Sequence, residues 1–278
     1  MNSNLQRFYD QQSTPWMKLF YRLVYAQLPP VSGAKILDFG AGFGWTANYL
    51  AGNNQASTQI SKKAQQNEKL PQNNVLAIEP NPEMVANRLD ENAYEMRLGG
   101  LKTLRELPAE SFDLIVCHNV LEYAVEERQK ILEEFARLIS TDGVISIIKH
   151  NFSGSIMQRI VFENELDEAA ALIKGEFRHE SNFGPISYYE LPELIQKRPN
   201  KKSIEIETSS VESSPVSDYP QLKIAKKYGI CAFNRLQPNE FKYADDWIEK
   251  MFELEMMCAE REEYREIAFF QHFLLKRS

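Results

Sequence analysis

The sequence has few cysteines, no long apolar run and no surplus of positive charge, and each absence excludes a class of protein. Its three cysteines, Cys117, Cys231 and Cys258, lie far apart without the spacing of a metal site, so we expect reduced thiols and no bound metal. No apolar run approaches the roughly 20 residues that a membrane span needs. The first residues also lack the basic and apolar regions of a signal peptide. We therefore expect a soluble, cytoplasmic protein.

Charge and size limit the remaining possibilities. The formal net charge is -7 at pH 7, which argues against coating by nucleic acid. It does not exclude a local basic patch, because binding depends on the local field. The 278 residues, 43% of them hydrophobic, can bury one large core. Because the chain has no internal repeat and no long linker, we expect a single domain over residues 1–278.

Strands and helices alternate along the first half of the chain. Short apolar runs predict strands in AKILDFG, VLAIEPN, FDLIVCH and VISIIKHN, and segments with apolar residues at helical spacing separate them. From residue 35 to residue 150 this alternation is typical of a parallel sheet covered by helices on both faces. The sequence therefore predicts a doubly wound α/β fold.

The second half of the chain is less regular. Residues 155–175 and 243–267 each have the pattern of a helix. Two polar stretches, 52–74 and 199–221, are predicted to be exposed insertions. Between the regular elements, we expect residues 151–200 to form a lid-like elaboration over a substrate.

Three glycines within five positions follow the first predicted strand, in Asp38-Phe39-Gly40-Ala41-Gly42-Phe43-Gly44. In an open parallel sheet this loop lies at the edge where ligands bind. Glycine lets the backbone approach a ligand because it has no Cβ atom. The spacing differs from the G-x-G-x-x-G fingerprint of dinucleotide sites, and the phosphate-binding G-x-x-x-x-G-K-[ST] loop is absent. A tight turn without a ligand is the alternative.

A carboxylate at the end of the next predicted strand supports a nucleoside ligand. Glu79, in VLAIEPNPEM, can accept hydrogen bonds from ribose hydroxyls through two oxygens. The alternative is a solvated acid at a strand end. Combined with the glycine loop, Glu79 favours a cofactor that contains a nucleoside.

The loop from Asp38 to Gly44 resembles motif I of the class I methyltransferases that use S-adenosylmethionine. This resemblance implies a mostly parallel, seven-stranded sheet, with Asp38 holding the methionine ammonium and Glu79 holding the ribose. It also implies that the loop after the fourth strand passes the transferable methyl group. The residues that it implies for cofactor binding are Lys18, Asp38, Gly40, Ala41, Gly42, Gly44, Glu79, Pro80, Gly100, Leu101, His118 and Leu121.

After the fourth strand the chain is similar to the methyltransferases of 5-carboxymethoxyuridine in tRNA. His118 to Tyr123 match the H-x-V-L-E-[WY] loop of that family, and Asn151, Gly154 and Met157 match a later segment. The similarity implies methylation of a carboxyl group in the tRNA anticodon loop, and an ionised carboxylate needs no general base. For a protonated acceptor, the candidate catalytic residues are His118 and His150. The residues expected to contact the tRNA are Lys149, His150, Asn151, Arg159, Tyr188 and Arg235.

Two other functions stay open. One is O- or N-methylation of a small molecule, such as a phenol or an acid. The acidic net charge favours it, as does Cys231, which stands where the tRNA enzymes usually have an arginine. The other is a non-catalytic binding protein, against which the intact Asp38 and Glu79 argue. The salt dependence of activity distinguishes a tRNA methyltransferase from a small-molecule methyltransferase. Contacts to tRNA phosphates release counterions, so binding to tRNA weakens steeply as salt rises.

Overall fold

A seven-stranded sheet forms the centre of the protein. The computed structural model describes residues 1–52, 71–176, 180–181, 183–196 and 220–278. The strands of the sheet are β1 (Lys35–Phe39), β2 (Asn74–Glu79), β3 (Glu95–Leu98), β4 (Phe112–His118), β5 (Ile139–His150), β8 (Leu222–Ile230) and β9 (Phe270–Arg277). Two short strands, β6 (Glu180–Ser181) and β7 (Gly184–Pro185), form a separate hairpin.

The strand order is β3-β2-β1-β4-β5-β9-β8. The first five strands pair in parallel, whereas β9 runs antiparallel to both β5 and β8. The order reverses between β1 and β4, and ligands of open α/β sheets bind beside such a reversal, at the carboxyl ends of the strands. This topology confirms the predicted doubly wound, mostly parallel seven-stranded sheet.

Helices pack on both faces of the sheet. Alternate residues of β1 enter different core clusters: Leu37 packs in one and Ile36 in another. Such burial on both faces is typical of parallel strands. The helices are α1 (Ser3–Gln11), α2 (Pro15–Gln27), α3 (Trp45–Ala51), α4 (Pro82–Ala86), α5 (Leu101–Arg105), α6 (Arg128–Leu138), α7 (Phe152–Gln158), α8 (Leu166–Lys174), α9 (Leu191–Gln196), α10 (Trp247–Cys258) and α11 (Glu262–Arg265). Of the helices in the described ranges, none combines the length and the apolar character that crossing a membrane requires.

The two long helices predicted in the second half are each divided. Within 155–175, α7 is followed by a π-helical turn (Arg159–Glu163), and Asn164, with a left-handed φ of 56°, separates that turn from α8. Within 243–267, α10 and α11 are separate helices. Arg261, which precedes α11, has an extended backbone. The single-helix predictions are wrong because the spacing of apolar residues does not reveal one non-helical residue such as Asn164 or Arg261.

The predicted C-terminal boundary of the first insertion, 52–74, lies too far along the chain, because residues 73 and 74 belong to the packed fold. Asn73 is buried and joins two elements: its side chain accepts a hydrogen bond from Ala34 N at 3.0 Å and donates one to Leu50 O at 2.9 Å. Asn74 already belongs to β2. Residues 53–70, and residues 199–219 of the second predicted insertion, lie outside the described residues.

Candidate active site

The carboxyl ends of β1, β2, β4 and β5 surround a cavity of about 960 Å³. The loop after β1 lines one part of it through Gly40 to Phe43, and Glu79 lines it from the end of β2. His118 and His150 line it from the last positions of β4 and β5. Because parallel strands end at the same edge of a sheet, residues far apart in sequence meet in this cavity.

The wall of the cavity is rich in aromatic side chains. They are Phe8, Trp16, Phe20, Tyr21, Phe39, Phe43, Trp45, Tyr123, Phe183, Phe269 and Phe270. At one side α1 meets the β6–β7 hairpin, where the rings of Phe8 and Phe183 pack edge to face with centroids 4.9 Å apart. A concave site with mostly apolar walls and a few polar groups is typical of small-molecule binding.

Glycine is needed at the three positions of the loop for different structural reasons. All three have left-handed φ values, 74° at Gly40, 58° at Gly42 and 81° at Gly44. A Cβ atom at Gly40 would collide with Val120, and one at Gly44 would collide with Tyr94, so packing within the protein explains both. At Gly42 the nearest atom to such a Cβ is Met84 Sδ at 3.9 Å. Gly42 lines the cavity, and the space that a Cβ atom would occupy there is open.

Asp38 is a buried acid without a complete set of partners. The residue is 3% exposed, and its Oδ2 atom has no hydrogen-bond partner among the described residues. Burial raises the pKa of Asp38 to about 7, the nearby Glu79 charge adds to this, and a hydrogen bond from the Ala47 N–H opposes it. A buried carboxylate oxygen that lacks a partner is stabilised by a cationic ligand.

Glu79 contacts the glycine loop directly. Its Oε2 atom accepts a hydrogen bond from Gly42 N at 2.8 Å, and Oε1 accepts one from Asn81 N at 2.9 Å. Burial raises the pKa of Glu79, while these two N–H groups oppose that shift. Each carboxylate oxygen can accept a further hydrogen bond from a ligand hydroxyl.

His118 belongs to a chain of neutral hydrogen-bonding groups. Its Nε2 atom lies 2.8 Å from Ser146 Oγ, which lies 2.8 Å from His272 Nε2, and His272 Nδ1 lies 2.9 Å from Gln27 Oε1. Burial, together with repulsion from His272, lowers the pKa of His118 well below its ordinary value. His118 is therefore uncharged near neutral pH and serves as a hydrogen-bonding group in the cavity wall.

His150 has a different partner, a buried carboxylate. Glu122 Oε1 lies 3.0 Å from His150 Nδ1 and also accepts a hydrogen bond from His150 N at 2.7 Å. Glu122 is 0% exposed. A carboxylate at Nδ1 fixes the ring orientation and stabilises the imidazolium that forms when the other nitrogen takes a proton. The Glu122–His150 pair is thus built like an acid–base pair.

The structure brings together nine of the twelve residues predicted to bind the cofactor. Those that line the cavity are Asp38, Gly40, Ala41, Gly42, Glu79, Pro80, Gly100, Leu101 and His118. Gly44 and Leu121 lie behind the wall, the first as the N-cap of α3 and the second in the core. Lys18 is exposed and does not line the cavity; the prediction for Lys18 is wrong, because α2 directs this side chain into solvent.

Of the residues predicted to contact tRNA, His150 and Arg235 line the cavity. The prediction for Lys149 is wrong: the residue is 1% exposed, and its ammonium donates to Gln271 Oε1 at 3.3 Å instead of facing solvent. Asn151 is also buried and donates to the carbonyls of Glu266 and Ala268. It therefore serves the packing of the strand end.

The remaining two predicted tRNA contacts, Arg159 and Tyr188, also lie outside the cavity lining. Arg159 Nη1 contacts the carboxylates of Glu165 at 2.7 Å, Glu168 at 2.5 Å and Glu163 at 3.7 Å. Tyr188 packs against Phe152 with ring centroids 5.2 Å apart. The sequence pattern could not reveal the acidic partners of Arg159, because they lie in and between two elements that the periodicity merged into one helix.

Two site residues were not predicted from the sequence. Glu122 was present in the matched loop pattern, but its contact with His150 depends on how β4 and β5 are paired. Arg7 lines the cavity from α1, and the spacing of Leu5, Phe8 and Tyr9 is the sequence signal that could have identified this helix. Arg7, not Lys18, is the basic residue that these first two helices contribute to the cavity wall.

Comparison with known proteins identifies the domain. Residues 37–145 match the sequence model of a family described as a methyltransferase domain. No curated protein matches the chain significantly. Among solved structures, an S-adenosylmethionine-dependent methyltransferase from Mesorhizobium loti is 17% identical, with a TM-score of 0.52, over 96% of this chain and 99% of that one.

Two further structures have the same fold. A Haloferax volcanii methyltransferase solved with the Trm112 methyltransferase activator is 14% identical, with a TM-score of 0.52, over 100% of this chain and 98% of that one. The plantazolicin methyltransferase BamL, solved with a desmethylPZN analog and SAH, is 12% identical, with a TM-score of 0.50, over 99% of this chain and 90% of that one.

The match over residues 37–145 and the shared fold agree on one class of activity, methyl transfer from S-adenosylmethionine. The predicted enzyme class and cofactor are thereby confirmed. The residues present fit this cofactor, because Asp38 offers an unpartnered buried oxygen for an ammonium group and Gly42 leaves open space beside it. Glu79 would bind the ribose hydroxyls, and Arg7 is a basic residue of the same cavity wall.

The raised pKa of Asp38 leads to a prediction about pH. Between the ordinary carboxyl pKa and about 7, the folded protein holds a proton that the unfolded chain has released, so the stability contributed by Asp38 falls as pH rises through this window. At about pH 8, the ligand-free Asp38→Asn variant should therefore melt at a higher temperature than the wild type, whereas near about pH 4 the difference should vanish.

The same variant should bind the cofactor more weakly. Removing a charged hydrogen-bond partner should reduce the affinity roughly tenfold or more, as measured by calorimetry. Equal melting temperatures for variant and wild type across this pH range would show that Asp38 is ionised without a penalty in the ligand-free protein.

Proposed function

We propose that this methyltransferase transfers a methyl group from S-adenosylmethionine to a hydroxyl group of a small aromatic acceptor. The observation that carries this proposal is His150, which lies in an aromatic-lined cavity beside the glycine loop with Glu122 at its Nδ1 atom. Aromatic walls favour a planar, apolar acceptor. An acid–base pair is required for a protonated hydroxyl, whereas a carboxylate acceptor needs none.

The cofactor, when bound, supplies an electrophilic methyl group on a positively charged sulfur. In this mechanism Asp38, Glu79 and Arg7 hold the two ends of the cofactor. His150 takes the proton from the acceptor hydroxyl, and Glu122 stabilises the resulting imidazolium. Alignment of the acceptor against the aromatic walls supplies a large part of the rate.

The elements over the cavity support a small acceptor. The hairpin contributes Glu180, Ser181 and Phe183 to the lining, and Phe183 packs on Phe8 of α1. We propose that residues 151–200 act as the predicted substrate lid through this hairpin, within a single domain. A wall to which both α1 and the hairpin contribute suits a small ligand that the cavity can surround.

Methylation of 5-carboxymethoxyuridine in tRNA remains the second candidate function. It is supported by the matched H-x-V-L-E-[WY] loop and by Arg235, a cation that lines the cavity. Against it, Lys149 is buried and Arg159 is surrounded by carboxylates, so both predicted phosphate contacts are occupied within the protein. We expect either reaction to occur in the cytoplasm, where free thiols such as those of Cys117 and Cys231 persist.

A methyl-transfer assay distinguishes the two candidates. The protein is incubated with S-adenosylmethionine labelled in its methyl group, and with either total cellular RNA or a panel of phenols and a small-molecule extract. We expect label in the small-molecule fraction, with a rate that changes little as salt rises. Label in RNA, with a rate that falls steeply between about 50 and 200 mM salt, would overturn the proposal in favour of tRNA.

A further inference from the structure

Two basic side chains, Arg235 and Lys242, lie near each other at the cavity wall. Arg235 belongs to the short 3₁₀ turn Asn234–Leu236 and lines the cavity. Its guanidinium stacks on Phe269, with Cζ 4.0 Å from the ring centroid, and its Nε donates to Gln158 Oε1 at 2.7 Å. The stacking and the amide hold the planar group in place while other N–H groups of the fork remain available for a ligand.

Lys242 adds a second positive charge near Arg235, from a buried position outside the cavity lining. It is 4% exposed, and its ammonium lies 5.5 Å from the ring centroid of Trp16, a residue of the cavity wall. Burial lowers the pKa of Lys242 to about 8, and the charge of Arg235 adds to this shift. The two cations are therefore close enough to repel each other.

No carboxylate of the described residues forms an ion pair with Arg235 or Lys242. Glu163 is the acid whose charge acts on Arg235, but its carboxylate accepts a hydrogen bond from Gln158 at 2.7 Å and lies 3.7 Å from Arg159. Buried charges in proteins are normally paired. These two cations thus lack an anion in the part of the chain that the structure describes.

Asn234 provides an independent observation at the same place. It lines the cavity and is only 1% exposed. The Cys231 thiol neighbours its side chain, but neither Nδ2 nor Oδ1 bonds to a nitrogen or oxygen atom of the described residues. Buried amide groups almost always bond to such atoms, so this amide in the cavity wall indicates a place for a polar ligand. An amide N–H beside a guanidinium fork can donate to the same carboxylate.

We propose that Arg235 and Asn234 bind a carboxylate of the methyl acceptor, which makes the substrate an aromatic hydroxy acid. This inference rests on the proposed function and specifies its substrate. Because a carboxylate paired with a guanidinium in a desolvated site is a weak nucleophile, the carboxylate is a handle and the hydroxyl is the group that receives the methyl.

His150 and Arg235 share one aromatic neighbour in the cavity wall. His150 and Arg235 both contact Phe269: the His150 and Phe269 ring centroids are 5.6 Å apart, and Arg235 Cζ lies 4.0 Å from the Phe269 centroid. An aromatic acid that stacks beside Phe269 can therefore present a carboxylate to Arg235 and a hydroxyl to His150. The guanidinium fork can bind a carboxylate through two parallel hydrogen bonds, and an aromatic carboxylate is planar like the ring of Phe269.

The test compares hydroxy acids with their neutral amides on the wild-type protein. Binding of para-hydroxybenzoate and coumarate is measured by calorimetry in the presence of S-adenosylhomocysteine, beside para-hydroxybenzamide, coumaramide and phenyl phosphate. We expect each acid to bind about ten- to a hundredfold more tightly than its amide. Equal binding of acid and amide, or tighter binding of the phosphate, would overturn the carboxylate site.

Variants separate the site from a general effect of charge. Arg235→Gln should remove the preference for acids and leave the affinity for amides unchanged. Arg22→Gln is the matched control, because Arg22 also stacks on an aromatic ring, Phe252, at 4.1 Å, but lies outside the cavity lining; it should keep the preference. An Arg235→Gln protein that keeps the preference would also overturn the inference.

The outcomes distinguish this inference from the proposed function. Transfer of labelled methyl to acids and amides alike, with equal efficiency, would leave the methyltransferase of small phenols intact and remove the carboxylate site. An Arg235-dependent affinity for acids without methyl transfer to any phenol would support the carboxylate site and overturn the assignment of the hydroxyl as methyl acceptor.

Discussion

Gly42→Val should abolish binding of S-adenosylmethionine while the protein remains folded. The nearest atom to a Cβ at this position is Met84 Sδ at 3.9 Å, so the new side chain meets no protein atom closely and occupies space that the cavity offers to the cofactor. The left-handed φ of 58° costs a side chain about 1–2 kcal/mol, which is less than the stability of a typical domain. Calorimetry with S-adenosylhomocysteine should detect no binding.

Gly175→Val is the matched control for this loss. Gly175 has a φ of 75° and open space around its absent Cβ, but it ends α8 and does not line the cavity. Both variants should lower the melting temperature by similar amounts, and only Gly42→Val should lose the cofactor. If Gly42→Val binds the cofactor with normal affinity, the glycine loop is not part of the cofactor site.

His150→Phe should lower kcat by about a hundred- to ten-thousandfold for a phenol that is protonated at the assay pH, the range for loss of a general base. Cofactor affinity should stay unchanged, because His150 lies at the end of β5 and we expect Asp38, Glu79 and Gly42 to bind the cofactor at the ends of other strands. Phenylalanine keeps an aromatic ring to pack against Phe269 and Phe270 and has no nitrogen atom to accept a proton.

The decisive comparison uses a nitrophenol that is already ionised at the assay pH. A general base has no role with such an acceptor, so His150→Phe should lose far less activity on it than on the protonated phenol. His118→Phe provides the contrast: His118 is a neutral group bonded to Ser146, and its loss should affect both acceptors equally. Equal losses for both acceptors in His150→Phe would mean that His150 only packs in the wall.

Glu122 should act as a positioning residue through His150. In Glu122→Gln the side chain keeps its size but loses the negative charge that stabilises the imidazolium. We therefore expect a fall in kcat on the protonated phenol, with KM nearly constant and little change on the ionised nitrophenol. A proportional loss on both acceptors would instead indicate a local disturbance of β5.

The local parts of the site were predictable from the sequence because neighbours in the chain define them. The loop from Asp38 to Gly44 follows a buried strand directly, and Glu79 ends the next strand, so both reach the same sheet edge by the rules of parallel sheets. Nine of the predicted cofactor residues consequently line the cavity. The clearest exception, Lys18, lies on α2, a helix whose rotation about its axis depends on packing.

The acceptor side could not be predicted in this way. Glu122 and His150 are 28 positions apart, and their contact depends on the register of β4 against β5. Arg235 and Gln158 are 77 positions apart. Lys149 and His150 are neighbours in the sequence, yet the alternation of a strand sends the first into the protein and the second into the cavity.

The sequence by itself determined the alternation of strands and helices, the methyltransferase class and the cofactor loop, because each depends on residues within one short segment. Only the tertiary structure decided which charges face the cavity. The sequence does not show whether a cation such as Arg159 or Lys149 is buried among partners or open to a ligand. Long-range packing decides between these two environments. The pairing of Glu122 with His150, and the buried cations at Arg235 and Lys242, follow from that packing alone.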